Sequence, residues 1–391
     1  MKIVLFAHPE FMPSRSMPRF AALLHSELSA RGHEVSLWRP AARLQARARG
    51  LGSAAAKWAG YFDQYLLFPR WVRRAVERQP ADTLFVFCDQ ALGPWVPLVA
   101  HRPHVVHVHD LLALRSALGL MPENPVGLTG RVYQRFIRRG FRQAQHFISI
   151  SHKTRVDLHA HAVAHAVTSA VVHNGMNHPY RRMAAASAAT LLRQAGAVVD
   201  ERGFLLHVSA GQFYKNVPGV IALYAEHARS AARPLPLVLV GHHRQPAVQS
   251  AIAALPASAR VVRLHDIDNE TMRACYSAAS AFLFPSLEEG FGWPIVEALA
   301  CGCPVITTDA PPMNEVGGSA AFYIPRLPAG AGLGAWAAAA APVLERVLAL
   351  QGPALDAWRD DAAAWCMRFE AARAIEGYLQ VYSQVLKQAA A

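Results

Sequence analysis

Ser286-Leu-Glu-Glu-Gly-Phe-Gly-Trp-Pro-Ile-Val-Glu297 follows an apolar run, Ala281–Pro285, and leads into a helical pattern, Pro294–Ala300. The order is strand, loop, helix. Gly290 and Gly292 let the backbone approach a ligand closely, and Pro294 suits the first turn of a helix, whose free N–H groups favour negative charge. Glu289 falls in the loop and Glu297 about one turn inside the helix, where carboxylates accept hydrogen bonds from hydroxyl groups. A strand feeding a glycine loop and then a helix is the unit of a doubly wound sheet.

Moving outward, the same unit recurs. Upstream, Phe204–Ser209, Leu235–Gly241 and Arg260–Leu264 read as strands, separated by helical patterns at Val217–Ala228, Gln245–Ala254 and Asn269–Ala278. Downstream, Pro304–Thr307 and Ala321–Ile324 are further strands. The first half has the same rhythm. Strands are expected at Lys2–Ala7, Glu34–Trp38, Thr83–Cys88, Val105–His109, His146–Ile150 and Ala170–His173, with Ser16 placed to cap a helix over Met17–Ala30. Alternation of this kind predicts parallel sheets covered on both faces. A chain of 391 residues exceeds what one core usually organises. The expected fold is therefore α/β, with two Rossmann-like, doubly wound parallel-sheet domains facing a central cleft. Residues 1–180 form the first, 181–200 a linker, 201–370 the second, and 371–391 a helix returning to the first. Ala329–Ala341 reads as a loop running into a helix, and Trp358–Lys387 as helical.

Composition narrows the function. Hydrophobic residues make up 53% of the chain, which excludes disorder, and no apolar run approaches the ~20 residues that span a bilayer. The opening segment, followed by Pro9 and Glu10, is too short for a signal peptide, so the expected location is the cytoplasm. The five cysteines do not form an even framework, and Cys301-Gly-Cys303 lacks zinc spacing; they read as packed thiols. Residues 1–180 hold 22 Lys and Arg against 10 Asp and Glu, and the remainder 17 against 17, so the whole net charge of +12 belongs to the first half. A one-sided basic surface suggests an anionic partner: nucleic acid, acidic lipid or a phosphorylated substrate.

Two glutamates eight apart carry little alone, but their frame carries more. Phe284-Pro-Ser precedes them, and Glu297-Ala-Leu-Ala-Cys-Gly-Cys-Pro-Val-Ile306 and Asn314-Glu-Val-Gly-Gly318 follow. The region resembles the E-x7-E segment of retaining GT-B glycosyltransferases, especially glycosyltransferase family 4 (group 1). Val208-Ser-Ala-Gly-Gln-Phe-Tyr-Lys-Asn216 resembles that family's phosphate loop. The resemblance implies a nucleoside-diphosphate sugar donor of UDP or GDP type, with Gly211 and Asn216 near the nucleotide, Lys215 on the diphosphate and Glu297 on the ribose. Glu289, with the backbone of Gly290, Phe291, Gly292 and Trp293, would hold the sugar. Val106-His-Val-His-Asp110 resembles the family's first-domain His-Asp segment, putting His109 and Asp110 near the donor sugar or acceptor hydroxyl. Polar residues that merely finish a strand account for the same letters. Ser149–Arg155 and His173-Asn-Gly-Met-Asn177 resemble further landmarks, the latter a hinge. There are two departures. Gln212 stands where many relatives carry Arg, and Pro13–Pro18 replaces a Gly-Gly pair, leaving Ser16 as a weak diphosphate or acceptor contact.

The resemblance implies a retaining hexosyltransferase acting by same-face attack through an oxocarbenium-like state, with a diphosphate oxygen taking the acceptor proton. Asp266-Ile-Asp268 reads as a turn, so no metal site and no cofactor are expected. The acceptor would be a glycan or a lipid-linked sugar in polysaccharide or lipopolysaccharide synthesis. The basic, aromatic stretches Arg70–Arg78 and Arg131–Arg142 suit peripheral contact with acidic membrane, and a solvated amphipathic face suits them equally. Other GT-B chemistry, as in an epimerase or phosphorylase, shares the fold. A non-catalytic scaffold shares it too. Nucleic-acid binding explains the charge but not the glutamate segment, and no recognition module is present.

Overall fold

Among the described residues six strands form each of two sheets, and every pairing is parallel. The fold comes from a computed structural model that describes residues 1–12, 16–197 and 202–390. In the first sheet β1 (Lys2–Phe6), β2 (Glu34–Trp38), β3 (Leu84–Phe87), β4 (His104–Val108), β5 (His146–Ser149) and β6 (Thr168–Val171) run in the order β2-β1-β3-β4-β5-β6. In the second, β7 (Leu205–Val208), β8 (Leu237–Val240), β9 (Val261–Leu264), β10 (Ala281–Phe284), β11 (Val305–Thr308) and β12 (Phe322–Ile324) run β12-β11-β10-β7-β8-β9. The architecture is the expected pair of Rossmann-like halves. Short apolar strands such as Leu84-Phe-Val-Phe87 are buried along their whole length because helices cover both faces.

Alternate residues of the first sheet feed two cores. Phe6, Phe85, Phe87, Val106 and Phe147 pack on one face with Phe68 and Trp95. Ile3, Leu5, Leu84, Val105 and Ile148 pack on the other with Phe20, Leu24 and Leu28. That second face is completed by the helix Ala371–Ala390, whose Ile375, Tyr378, Val381 and Tyr382 recur at helical spacing. Polar tips settle the joint: Tyr382 shares a 2.7 Å hydrogen bond with Nε2 of His107 on β4, and the Tyr378 hydroxyl donates to Asn174 Oδ1 at 3.2 Å. One compact unit therefore comprises Met1–Met121, Pro125–Asn177 and Ala371–Ala391, and the other Pro122–Asn124 with His178–Glu370.

One region differs from expectation. The stretch assigned to a linker, 181–200, contains the helix Ala185–Gln194, which buries Ala188 and Leu192 one turn apart and belongs to the second unit. An Ala-rich segment has high helix propensity and needs only one small apolar face to dock. Residues 198–200 of that stretch lie outside the described residues. The stretch Trp358–Lys387 is helical on both sides of the expected boundary at 370/371: Gly352–Cys366 and Ala371–Ala390 are separated by the turn Met367–Phe369, where Phe369 turns inward against Phe291 with ring centroids 5.8 Å apart.

Several histidines are built into these cores without a counter-charge. Burial lowers His146 to about 4, His207 to about 3 and His243 to about 4, and lowers His107 further below the ordinary imidazole range. Each stays neutral when folded, while the unfolded chain takes up protons near pH 6.5. Stability should therefore fall as pH drops from about 6.5 towards about 4, by up to ~1.4 kcal/mol per pH unit per histidine. Urea midpoints measured across that interval check this, and a flat profile would contradict it.

Candidate active site

Ligands of an open parallel sheet bind beyond the carboxyl ends of its strands, where the strand order reverses. In the second sheet the reversal lies between β7 and β10, which pair with Ala281 opposite Leu205 and Phe282 opposite Leu206. The two loops leaving these strands are those singled out in the sequence, 209–216 and 285–292. They are tied together: Leu287 N donates to Tyr214 O at 2.7 Å, and Asn216 Nδ2 donates to Pro285 O at 3.0 Å. Asn216 is left-handed at φ 51°, and its Oδ1 accepts from Gly219 N at 3.2 Å, capping the helix Val217–Ser230. From the neighbouring strand, the Thr307 and Thr308 hydroxyls each donate at 2.8 Å, to Phe284 O and Ser286 O.

This scaffold brings Lys215 and Glu289 together. Their Nζ and Oε1 atoms are 2.7 Å apart, with side-chain exposures of 11% and 8%. The ammonium also lies 4.5 Å from the centroid of the Phe284 ring, whose face attracts a cation. Solvent screening is weak at such burial, so the pair is a strong local dipole with each charge compensated by the other.

Around it, Gly211 adopts φ +82°, and a Cβ there would come within 2.4 Å of Gln245 Nε2, the group that donates to Gly211 O at 2.6 Å. Gly292 turns at φ +100° into the helix Trp293–Ala300. Phe291 is buried and meets Trp293 edge-on at 6.1 Å, while Gly290 is half-buried in the same loop. Glu297 is held separately, its Oε2 accepting from the Tyr276 hydroxyl at 3.0 Å; burial, then the nearby Glu297 charge, pushes the Tyr276 phenol well up, so it remains a donor. Gln212 is exposed. A second cation held in this region is Arg326, whose Nε donates to Leu287 O at 3.0 Å. Behind Gly211, His207 and His243 hydrogen-bond Ser209 Oγ from either side at 3.0 and 2.8 Å.

In the first unit the reversal lies between β1 and β3. His8 follows β1 and Asp89 follows β3, and they meet at 2.7 Å. Burial opposes the Asp89 charge, but the His8 hydrogen bond and charge, with His109 and the Ala91 N–H, outweigh it and hold the carboxyl below its usual range. His109, after β4, is buried; its Nε2 lies 3.0 Å from Cys88 O, its backbone N–H donates to Gln90 Oε1 at 2.9 Å, and Phe20 packs on its ring. Because a carbonyl only accepts, Nε2 carries the proton and Nδ1 is left as an acceptor with no partner among the described residues. Asp110 is half-buried and its Oδ1 accepts from Leu112 N at 3.0 Å. Ser16 is the exposed first residue of the helix Ser16–Ala30. Residues 13–15 of the neighbouring loop lie outside the described residues. Sequence reading missed His8, Asp89, Tyr276 and Arg326. The signal for the first two was their position directly after strands that flank a reversal.

The profile described as "Glycosyl transferases group 1" matches residues 189–322, and that described as "Glycosyltransferase Family 4" matches residues 17–178. The chain belongs to glycosyltransferase family 4. Among curated relatives of this family 4 chain, it is 36% identical over 77 residues to the O-antigen chain mannosyltransferase RfbU of Salmonella typhimurium, covering 20% of this chain and 22% of that protein. It is 28% identical over 121 residues to O-antigen chain mannosyltransferase B of Escherichia coli, covering 30% and 32%. It thus spans about a quarter to a third of those relatives' lengths. Among solved structures, sucrose-phosphate synthase of Thermosynechococcus elongatus superposes with a TM-score of 0.73 at 17% identity, over 99% of this chain and 100% of that one. Anabaena HepE, in complex with UDP and glucose, gives 0.67 at 17%, over 98% and 99%. These likenesses establish the GT-B fold.

Breaking the Lys215–Glu289 pair leaves a buried charge uncompensated. Lys215→Met and Glu289→Gln should each destabilise by ~3 kcal/mol, and the double variant by less than their sum. A urea-unfolding double-mutant cycle measures this, and additive losses would contradict it.

Proposed function

We propose that this family 4 chain transfers a hexose, with retention and without a metal ion, from a UDP- or GDP-type sugar to a hydroxyl of a glycan or lipid-linked acceptor. The process served is cell-surface polysaccharide or lipopolysaccharide synthesis, on the cytoplasmic side. The observation that carries the reading is the buried Lys215–Glu289 pair at the carboxyl-end reversal of the second sheet. A cation and a hydroxyl acceptor held side by side fit a sugar diphosphate. Lys215 offsets the charge that grows on the leaving diphosphate, and Glu289 accepts from a sugar hydroxyl. Backbone N–H groups at the start of Trp293–Ala300 add positive potential, and Glu297, steadied by Tyr276, accepts from the ribose. Gly211, free of a side chain, lets the backbone approach the nucleotide.

In the proposed mechanism Glu289 is the sugar ligand and not a nucleophile. The acceptor hydroxyl attacks on the face the leaving group departs from, and its proton passes to a diphosphate oxygen. In the first unit, the acceptor nitrogen His109 Nδ1 suits a hydroxyl proton, and the His8–Asp89 pair supplies a second polar contact. The O-antigen mannosyltransferase relatives make mannose the first hexose to test, and the UDP complex of Anabaena HepE supports a nucleoside-diphosphate donor. Five buried, unpaired cysteines are in keeping with a reducing compartment.

A thermal-shift screen with UDP-, GDP- and ADP-sugars should give one clear stabiliser. Glu289→Gln, assayed well below its melting temperature, should keep nucleotide binding and lose roughly 10²-fold in kcat. Wild-type turnover would sink the assignment. Release of nucleoside diphosphate without an acceptor would favour epimerase-like chemistry, and loss of turnover in EDTA would refute metal independence.

A further inference from the structure

The first unit carries an aromatic and aliphatic surface set among arginines. Trp58, Phe62 and Leu66 recur at four-residue spacing along the continuous helical run Ser53–Glu77, and all three are exposed. Leu128, Val132 and Phe136 recur in the same way along the helix Leu128–Phe141, and they too are exposed. Half-buried tyrosines join the two. Tyr61 lies 5.7 Å from Trp58 and 6.1 Å from Tyr133, Tyr65 lies 5.3 Å from Phe136, and the Tyr65 and Tyr133 hydroxyls meet at 2.7 Å. Rings from the two helices thus touch one another, and exposed apolar side chains recur along both helices beside them, a grouping that a soluble surface has no reason to make.

The charges around it have one sign. Arg70, Arg74, Arg131, Arg135, Arg139 and Arg142 are exposed on the same helices or at their ends. Leu128–Phe141 contains no acidic residue. In Ser53–Glu77 the acids are Asp63, buried and accepting from Leu44 N and Gln45 N at 3.0 and 2.9 Å, and Glu77 at the far end. No single helix is long and apolar enough among the described residues to cross a membrane.

We propose that this face docks the protein on an anionic bilayer surface, the arginines meeting lipid phosphates while Trp58, Phe62, Leu128 and Phe136 enter the boundary between headgroups and acyl chains. Tyrosine and tryptophan, with one polar and one apolar end, suit that depth. A second copy of the chain is disfavoured as occupant because pairing the face with itself would set arginine against arginine. Nucleic acid would use the cations and stack on the rings, but it gives no burial to Leu66, Leu128 and Val132. The inference is independent of the donor site.

Sedimentation of the full chain with phosphatidylcholine vesicles, with and without phosphatidylglycerol, tests it. Binding is expected only with the anionic lipid. The variant R131Q/R135Q/R139Q should partition on the order of a hundred-fold more weakly. W58S/F62S/F136S should also bind more weakly, including at low salt where the cations act most strongly, and both variants should melt as wild type because the residues are exposed. Undiminished partitioning by either variant, or equal binding to both vesicle types, would overturn the proposal. Dimerisation or RNA binding that depends on these residues, without vesicle binding, would also overturn it.

Discussion

The parallel pairing of β10 against β7 sets two chain segments, 76 residues apart from Leu205 to Ala281, side by side at the centre of the second sheet. Hydrogen bonds from Leu287 to Tyr214 and from Asn216 to Pro285 weld them, and only then do Lys215 and Glu289 meet out of reach of bulk water. The surrounding devices serve that junction. Thr307 and Thr308 hold the β10 loop from the next strand, Asn216 accepts a left-handed backbone to cap its helix, and Gly211 yields space to Gln245. Strain at Asn216 is tolerated because its side chain makes two hydrogen bonds that fix the turn.

Much of this could be read from residue order. Apolar runs such as Glu34–Trp38 and helices such as Asn269–Ala278 emerge with the boundaries expected of them, since each rests on local periodicity. The halves that fold as sheets, and the loops that carry the glutamates, follow from that alternation. What local pattern could not supply is who meets whom. Lys215 and Glu289 are 74 positions apart, and their direct contact depends on strand order, as does that of His8 and Asp89 at 81. The Ala185–Gln194 helix was hidden for a different reason. Alanine carries little hydrophobic contrast, so a docked helix and a connector look alike until Ala188 and Leu192 find their neighbours. The inward turn of Phe369 is likewise a tertiary event.

The two units manage charge in opposite ways. The second, with 15 Lys and Arg against 17 Asp and Glu, is close to balance and spends its electrostatics inside, on one buried pair and on neutral histidines. The first holds 24 Lys and Arg against 10 Asp and Glu and wears much of that surplus on the Arg-rich helices beside exposed aromatic rings.

The helix Ala371–Ala390 gives the molecule an unusual order of assembly. Its Ile375, Tyr378 and Tyr382 cover a face of β1, β3, β4 and β5 that was laid down hundreds of residues earlier. During synthesis the second unit has all its strands in hand while this face of the first, Ile3, Leu5, Val105 and Ile148, is covered only in part, by Phe20, Leu24 and Leu28. The half that emerges first is therefore sealed last, and the ribosome delivers its closing element only after the other half is complete.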